Sequence, residues 1–307
     1  MKKLTLLFVA ALMTIILCAC SMESPFLENS SEGSVGEKTS FKIGFSISTL
    51  NNPFFVTLSD GAEANAKELG AQISIVDAQD DASKQASDVE DLIQQGVDII
   101  LINPVDSAAI GSTVESANAA GIPVITVDRS AESGEVVSHI ASDNVAGGQL
   151  AGEYLLELAG EGAKVAMLEG VAGSSAARDR GEGFLKAVEG KVDLVSSLTA
   201  NFDRSEGLTV MENMLQANPE IQAVFAQNDE MALGALEAIE AANKNIIVIG
   251  FDATDDALAK IEQGKMAATV AQKPEEIGKA AIKTAMDYLN GKPVEEFVPV
   301  ALELVKQ

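Results

Sequence analysis

The sequence predicts an α/β fold built of two doubly wound, Rossmann-like domains with parallel sheets. Short apolar runs rich in Val and Ile alternate with amphipathic stretches of helical period, which is the pattern of βαβ units. The runs are apolar on both faces, as in parallel sheets that are covered on both sides. About ten such runs fall into two series, which favours two sheets over one wide sheet.

The first series of elements starts at residue 41. Pro53 stands at a favourable helix start, and Gly70, Gly96 and Gly121 follow the ends of three helical stretches, where glycine commonly caps a helix. Strands are predicted over 42–48, 72–77, 98–103, 123–128 and 137–141. Helices are predicted over 53–69, 82–95, 107–120 and 144–159.

The same alternation then begins again. Strands are predicted over 164–168, 194–198, 222–226, 246–251 and 267–271. Helices are predicted over 176–188, 204–217, 230–242, 255–263 and 274–289, and the last of them stops at Asn290-Gly291. This repetition is the main reason to expect two domains.

The first forty residues have the composition of an export leader followed by a tether. Met1-Lys2-Lys3 is basic, and residues 4–17 form an uncharged run that is too short for a comfortable transmembrane helix. The run ends in Leu17-Cys18-Ala19-Cys20, which resembles the lipobox of bacterial lipoproteins. We therefore expect a signal peptide over 1–19, a lipid on Cys20 and a flexible tether over 20–40; an uncleaved signal anchor is the alternative. Cleavage before Cys20 would leave one cysteine and no disulfide.

Composition and motifs exclude several classes of function. The formal net charge is −25 without a basic stripe, which argues against nucleic-acid binding through phosphates and indicates a solvated surface. His139 is the only histidine and falls inside a predicted strand, so a Ser/His/Asp triad and a zinc site are both disfavoured. The acidic segments 77–81 and 252–256 lack the pattern of a calcium loop. We expect no catalytic activity, no metal and no cofactor.

Polar and aromatic side chains follow five of the predicted strands, at the point where each strand ends. In parallel α/β sheets, ligands bind beyond the carboxyl ends of the strands. Carboxylates, guanidinium groups and amides match hydroxyl groups that both donate and accept, and aromatic rings pack on the apolar faces of a sugar ring. The residues are Asn52, Phe54, Phe55, Asp128, Arg129, Asn228, Phe251, Asp252 and Gln272.

From residue 41 to 307 the chain resembles the bacterial ribose-binding proteins, the extracytoplasmic receptors of sugar ABC importers. The resemblance is carried by long strings, STLNNPFF at 48–55 and AVFAQNDEMALGA at 223–235 above all. Further matching segments lie at 98–104, 123–129, 134–144, 175–184, 201–204, 250–252 and 269–272. The lipobox, the tether and Ala253 depart from the family pattern.

The resemblance implies two lobes joined by a three-segment hinge, with the ligand in the cleft between them. Transferred boundaries give an N-terminal lobe over 41–142 plus 273–301 and a C-terminal lobe over 143–272 plus 302–307. The family adds two site residues that strand ends did not indicate, Arg178 as a hydroxyl-binding group and Phe202 as an aromatic clamp.

The function that this implies is capture of D-ribose by hinge closure and delivery to an ABC importer. The expected partners are the sugar, the importer's permease, a membrane through the lipid anchor, and a chemotaxis receptor; we expect a monomer outside the cytoplasm. Another sugar (allose, xylose or galactose) and a furanose-type autoinducer remain alternatives. A sugar-responsive repressor would need a helix-turn-helix where the leader and tether stand, and a sugar enzyme lacks a base–nucleophile pair.

Overall fold

The computed structural model describes residues 40–307. The expected signal peptide, the lipid on Cys20 and nearly all of the tether lie outside the described residues. Within 40–307, no helix is both long and apolar enough to cross a membrane.

The first lobe is built on a six-stranded sheet in which every neighbouring pair is parallel. Its order is β11-β5-β4-β3-β1-β2, so the strand order reverses between β1 and β3. The strands are β1 (Lys42–Ile47), β2 (Gln72–Asp77), β3 (Ile99–Ile102), β4 (Val124–Val127), β5 (Ser138–Ser142) and β11 (Phe297–Val300).

The second lobe repeats this arrangement with the order β12-β10-β9-β8-β6-β7. All its pairs are parallel except the antiparallel pair of β12 and β10. The strands are β6 (Lys164–Glu169), β7 (Asp193–Thr199), β8 (Ala223–Ala226), β9 (Ile247–Asp252), β10 (Ala268–Ala271) and β12 (Glu303–Lys306). The predicted class, two α/β domains with parallel-dominated sheets, is confirmed.

Nine helices in the described part of the chain cover the two sheets. They are α1 (Pro53–Glu68), α2 (Ala82–Gln94), α3 (Gly111–Ala119), α4 (Asn144–Ala159), α5 (Ser175–Val188), α6 (Arg204–Ala217), α7 (Asp229–Ala241), α8 (Asp255–Glu262) and α9 (Pro274–Leu289). Six of them begin at an Asn, Asp or Thr whose side chain accepts a hydrogen bond from the first turn.

Both faces of each sheet are buried, which explains the apolar strands. In β3, Ile99 and Leu101 pack into one cluster and Ile100 and Ile102 into another on the opposite face. Strand β8 of the second lobe alternates in the same way between two clusters. Successive side chains of a strand point to opposite faces, so a strand that is covered on both sides is mostly apolar.

The chain passes three times between the two sheets, after β5, after β10 and after β11. The last passage joins the two strands that the sequence pattern missed, β11 and β12. Each is only four residues long and β11 contains Pro299, which is tolerated because β11 is an edge strand. The lobe boundaries transferred from the resemblance stay a prediction.

Helix α3 starts later than expected, at Gly111 instead of residue 107. The carboxylate of Asp106 accepts from the backbone N–H groups of Ala108 and Ala109, which holds this segment in a turn. The N–H of Ser107 donates to the Gly173 carbonyl of the second lobe (3.0 Å). The segment therefore serves a contact between the lobes and does not continue the helix.

Candidate functional site

A cavity lies between the lobes, at the carboxyl ends of the strands of both sheets. About 230 Å³ of space, part of it open to solvent, lies among its lining side chains. Its walls come from both lobes and are formed by Asn52, Phe54, Phe55, Asp128, Arg129, Ala176, Arg180, Phe202, Asn228, Asp252 and Gln272. Nine of the eleven predicted site residues are among them; Arg178 and Phe251 are not.

Unusual backbone conformations present three of these side chains. Asp128 directly follows β4 with φ 64°, Asp252 ends β9 with φ 123°, and Phe202 has φ 61°. Residues other than glycine rarely adopt positive φ, and such strain concentrates at sites where a side chain must take one particular position.

Arg129 supplies the guanidinium group of the first lobe to the cavity, and its side chain is almost wholly buried. Its Nη1 donates to the Pro104 carbonyl (3.2 Å), and its Nε lies 3.9 Å from the carboxylate of Asp128. The guanidinium carbon lies 5.1 Å from the centre of the Phe55 ring and 5.3 Å from that of Phe202, so rings from both lobes contact this charge.

Arg180 is the guanidinium of the second lobe. Its Nε donates to Asn144 Oδ1 (2.8 Å) and its Nη1 to the Gln227 carbonyl (2.7 Å). Nη1 also lies 3.8 Å from the carboxylate of Asp252. Phe251 lies beneath this group, with its ring centre 4.0 Å from the guanidinium carbon. Phe251 is fully buried outside the cavity wall and acts on the site through Arg180.

The structure places the predicted site residue Arg178 outside the cavity wall and Arg180 within it. The Arg178 side chain is 52% exposed and pairs with Glu132 and Asp179 outside the cavity. Helical spacing explains the difference, because positions two apart on a helix point in nearly opposite directions. The buried stripe of α5 runs through Ala176, Arg180, Phe184 and Ala187. This stripe is visible in the sequence and could have identified Arg180.

Several polar atoms of the cavity have no hydrogen-bond partner within the described residues. They are Asp128 Oδ1, Arg129 Nε and Gln272 Oε1, all of them buried. An unpaired buried polar group costs roughly 1–3 kcal/mol, so a ligand that pairs with these atoms gains affinity. Two are acceptors and one is a donor, which suits hydroxyl groups.

Two aspartates and two arginines face each other in this cavity, so the charged groups sum to neutral. Burial raises the pKa of Asp128 and of Asp252, and in both cases the charge of Arg180 opposes the shift. Burial lowers the pKa of the Arg129 guanidinium. A neutral polar ligand adds hydrogen bonds to such a set without adding an uncompensated charge.

His139 takes no part in the cavity wall. Its Nδ1 shares a hydrogen bond with Thr126 Oγ1 (2.9 Å), and its ring stacks on Phe297 at 5.7 Å. Burial lowers its pKa. Among residues 40–307, no group of three or more His, Cys, Asp or Glu side chains is arranged to hold a metal ion.

Comparison with known proteins agrees with this architecture. Residues 43–293 match the family described as the periplasmic binding protein domain. The chain is 57% identical over 292 residues to the ribose import binding protein RbsB of Bacillus subtilis, covering 95% of each chain. It is 54% identical to the protein of the same name from Escherichia coli, covering 86% of this chain and 90% of that one.

Solved structures with bound small molecules have the same fold. An ABC transporter solute binding protein from Bacillus halodurans C-125 with bound myo-inositol is 36% identical, with a TM-score of 0.84 over 88% of this chain and 96% of that one. One from Mycobacterium smegmatis with bound glycerol is 39% identical, with a TM-score of 0.84 over 87% and 94%.

Asp128→Asn tests the buried carboxylate through the pH dependence of stability. The pKa of Asp128 is raised in the folded state, so the stability tied to its neutral form is present below about pH 4 and is lost as the pH rises through the raised pKa. Asparagine does not titrate. From about pH 4 to about pH 8 we expect the unfolding free energy of the wild type to fall relative to that of the variant.

Urea denaturation of ligand-free protein at the two pH values measures this difference. Asp60→Asn, on the exposed face of α1, is the matched reference for replacing a carboxylate by an amide. A difference at Asp128 that stays constant with pH, or that grows in favour of the wild type, contradicts the prediction.

Proposed function

The chain belongs to the periplasmic binding protein family, and from this premise we propose that it captures D-ribose between its lobes and delivers it to an ABC importer. The observation that carries the proposal is the neutral cavity whose unpaired polar atoms come from both lobes. Three relatives that are 52–57% identical are ribose import binding proteins, and this supports ribose as the sugar.

The hydrogen bonds already made within the protein indicate which atoms remain for the sugar. Asn52 Oδ1 accepts from the N–H of Phe54, which leaves its Nδ2 as a donor. Gln272 Nε2 donates to Asp252 Oδ1, which leaves Oε1 as an acceptor. Together with Asp128 Oδ1 and Arg129 Nε, these atoms offer two donors and two acceptors to sugar hydroxyls.

Aromatic rings close the cavity on two sides. Phe54 and Phe55 of the first lobe meet edge to face, with their centres 5.2 Å apart, and Phe202 approaches from the second lobe. The carbon faces of a sugar ring are apolar and pack against such planes, while the hydroxyls at the ring edge reach the polar atoms. The proposed role is therefore binding without catalysis.

Hinge closure follows from the division of the site between the lobes. A ligand that contacts both lobes favours the arrangement in which they meet. Direct contacts next to the cavity support the same arrangement: Ser130 N donates to Ser175 Oγ (2.9 Å), Ser175 N to Ser107 Oγ (3.2 Å), and Glu132 pairs with Arg178 (3.2 Å). In this proposal Arg178 supports closure and does not touch the sugar.

The remaining parts of the proposal concern partners and location. The permease of the importer receives the sugar from the closed receptor, a chemotaxis receptor is a second candidate partner, and the protein acts as a monomer. A lipid on Cys20 holds it on the outer face of the cell membrane, or on the periplasmic face of a membrane in a diderm.

Isothermal titration calorimetry tests the ligand. The protein is unfolded and refolded to remove bound sugar and is then titrated with D-ribose, allose, xylose, galactose and myo-inositol. We expect tight one-to-one binding of ribose and much weaker binding of the others. Allose, galactose and myo-inositol carry an additional substituent, and xylose places one hydroxyl on the opposite face of the ring, so each would leave polar atoms of the cavity unpaired. Tight binding of another sugar, with none of ribose, reassigns the substrate.

Arg180→Ala, compared with Arg178→Ala, tests which of the two arginines binds the sugar. Loss of a hydrogen bond to a buried charged group costs roughly 1.5–3 kcal/mol, so we expect Arg180→Ala to weaken ribose binding by about tenfold to a hundredfold or more. The exposed Arg178–Glu132 pair is worth at most about 1 kcal/mol, which limits the effect of Arg178→Ala to about fivefold. The reverse order of affinities would return the site to Arg178.

Cys20→Ser tests the proposed lipid anchor, with Cys18→Ser as the matched control. Two or more acyl chains hold a protein stably on a membrane. We expect the Cys20 variant to lose incorporation of labelled palmitate and to leave the membrane fraction, while the Cys18 variant keeps both properties. Membrane association that survives Cys20→Ser would favour an uncleaved signal anchor.

A further inference from the structure

Asp229 is a buried carboxylate that does not line the cavity. It is the first residue of α7, next to Asn228, and it is fully buried. Its Oδ1 accepts from Thr269 Oγ1 (2.7 Å). Its Oδ2 accepts from the N–H of Thr254 (2.8 Å) and from Thr254 Oγ1 (3.2 Å). All of these donors belong to β10 and to the loop that follows β9.

The loop after β9 has an unfavourable backbone. Asp252 has φ 123° and Ala253 has φ 58°, in the region that favours glycine. Such conformations persist where the surroundings hold them. Thr269 Oγ1 accepts from the N–H of Ala253 (3.2 Å) while it donates to Asp229, and Thr254 is held by Asp229 directly. The loop is thus fixed at consecutive residues through one carboxylate.

The same loop sets the position of a cavity side chain. Asp252 Oδ1 accepts from Gln272 Nε2 (2.8 Å) and lies 3.8 Å from Arg180 Nη1. A rotation of the backbone at Asp252 would move its carboxylate away from both groups. Space behind the loop is tight as well, because a Cβ on Gly250 would come within 2.2 Å of Asp229 Oδ1.

We propose that Asp229 is a positioning residue for sugar binding, which fixes the strained loop so that the Asp252 carboxylate stands between Arg180 and Gln272. This inference rests on the proposed function, since it assigns a role within the same site. It extends the site to a second layer formed by Asp229, Thr254 and Thr269, none of which contributes to the cavity wall.

Electrostatics support a link between the two carboxylates. Burial raises the pKa of Asp229 to about 7, and the hydrogen bonds from Thr269 and Thr254 oppose that shift. The charge of Asp229 in turn contributes to the raised pKa of Asp252. Asp229 therefore affects the protonation of the Asp252 carboxylate as well as its position.

The test is Asp229→Asn in the full-length protein, with ribose affinity measured by calorimetry and stability by urea denaturation. Asparagine has one accepting oxygen and an NH₂ group that only donates, so it cannot accept from the groups on both sides of the native carboxylate. We expect a folded protein whose ribose affinity is lower by at least about tenfold. This is the effect of losing one charged hydrogen bond between the sugar and Asp252.

A double-mutant cycle separates positioning from general destabilisation. If Asp229 acts through Asp252, the same substitution made in an Asp252→Asn background lowers affinity by less than about threefold. Equal losses in both backgrounds, or an Asp229→Asn affinity equal to that of the wild type, overturn the inference. Asp81→Asn, another carboxylate at the start of a helix but in the first lobe, is the control and retains wild-type affinity.

A second pair of variants keeps the inference testable if Asp229→Asn does not fold. Thr269→Val removes the hydroxyl and keeps the side-chain shape, whereas Thr269→Ser keeps the hydroxyl. We expect Val to weaken ribose binding by at least about tenfold and Ser to stay within about threefold of the wild type. Equal affinities for the two variants overturn the inference. A wild-type protein that binds no sugar overturns the proposed function, and the inference with it.

Discussion

Four buried charges between the two lobes are the constraint on which the rest of the structure depends. Asp128, Arg129, Arg180 and Asp252 are each at most 5% exposed. A charge taken out of water costs several kcal/mol unless opposite charges and hydrogen bonds replace the solvent. Each lobe contributes one Asp and one Arg, 3.9 Å apart in the first lobe and 3.8 Å apart in the second, and Arg180 also opposes the raised pKa of Asp128 across the cavity, so the set is neutral. The ligand then has to supply hydrogen bonds, and it does not have to supply charge.

Several elements of the second lobe contact one of these four charges, the guanidinium of Arg180. Arg180 is held by Asn144, which opens α4 just after the first passage between the sheets, by the Gln227 carbonyl after β8, and by the Phe251 ring in β9. Helices α4 and α5 pack closely at the same place, where a Cβ on Gly148 would come within 2.0 Å of the Arg180 carbonyl. Two strands of the sheet, the packing of α4 against α5 and the segment that crosses between the sheets therefore all help to fix the position of this one guanidinium.

The hydrophobic period of the sequence and the residues that follow each apolar run predict most of this structure. The strands and the site residue that they did not predict were missed for physical reasons. The ten strands of the two series read as apolar runs, so all of them are predicted. Strands β11 and β12 lie at the edges of their sheets and are mostly exposed or half-buried, so they lack such a run. Side chains that directly follow a strand, such as Asp128 and Gln272, are visible because the sheet edge brings them together. Arg180 lies within a helix, where only the buried face distinguishes it from Arg178.

Ala253 shows why part of the site cannot be predicted from the local sequence. A residue with a Cβ is disfavoured at φ 58°, and the local sequence therefore predicts a different backbone there. This unfavourable backbone is stabilised by a hydrogen bond to Thr269, sixteen positions along the chain in β10. Thr269 is held in turn by Asp229 in α7. Local preference and tertiary contacts disagree at this loop, and the tertiary contacts prevail. Conflicts of this kind are expected where a side chain must be presented to a ligand, because the position that binds best is set by the ligand and not by the chain.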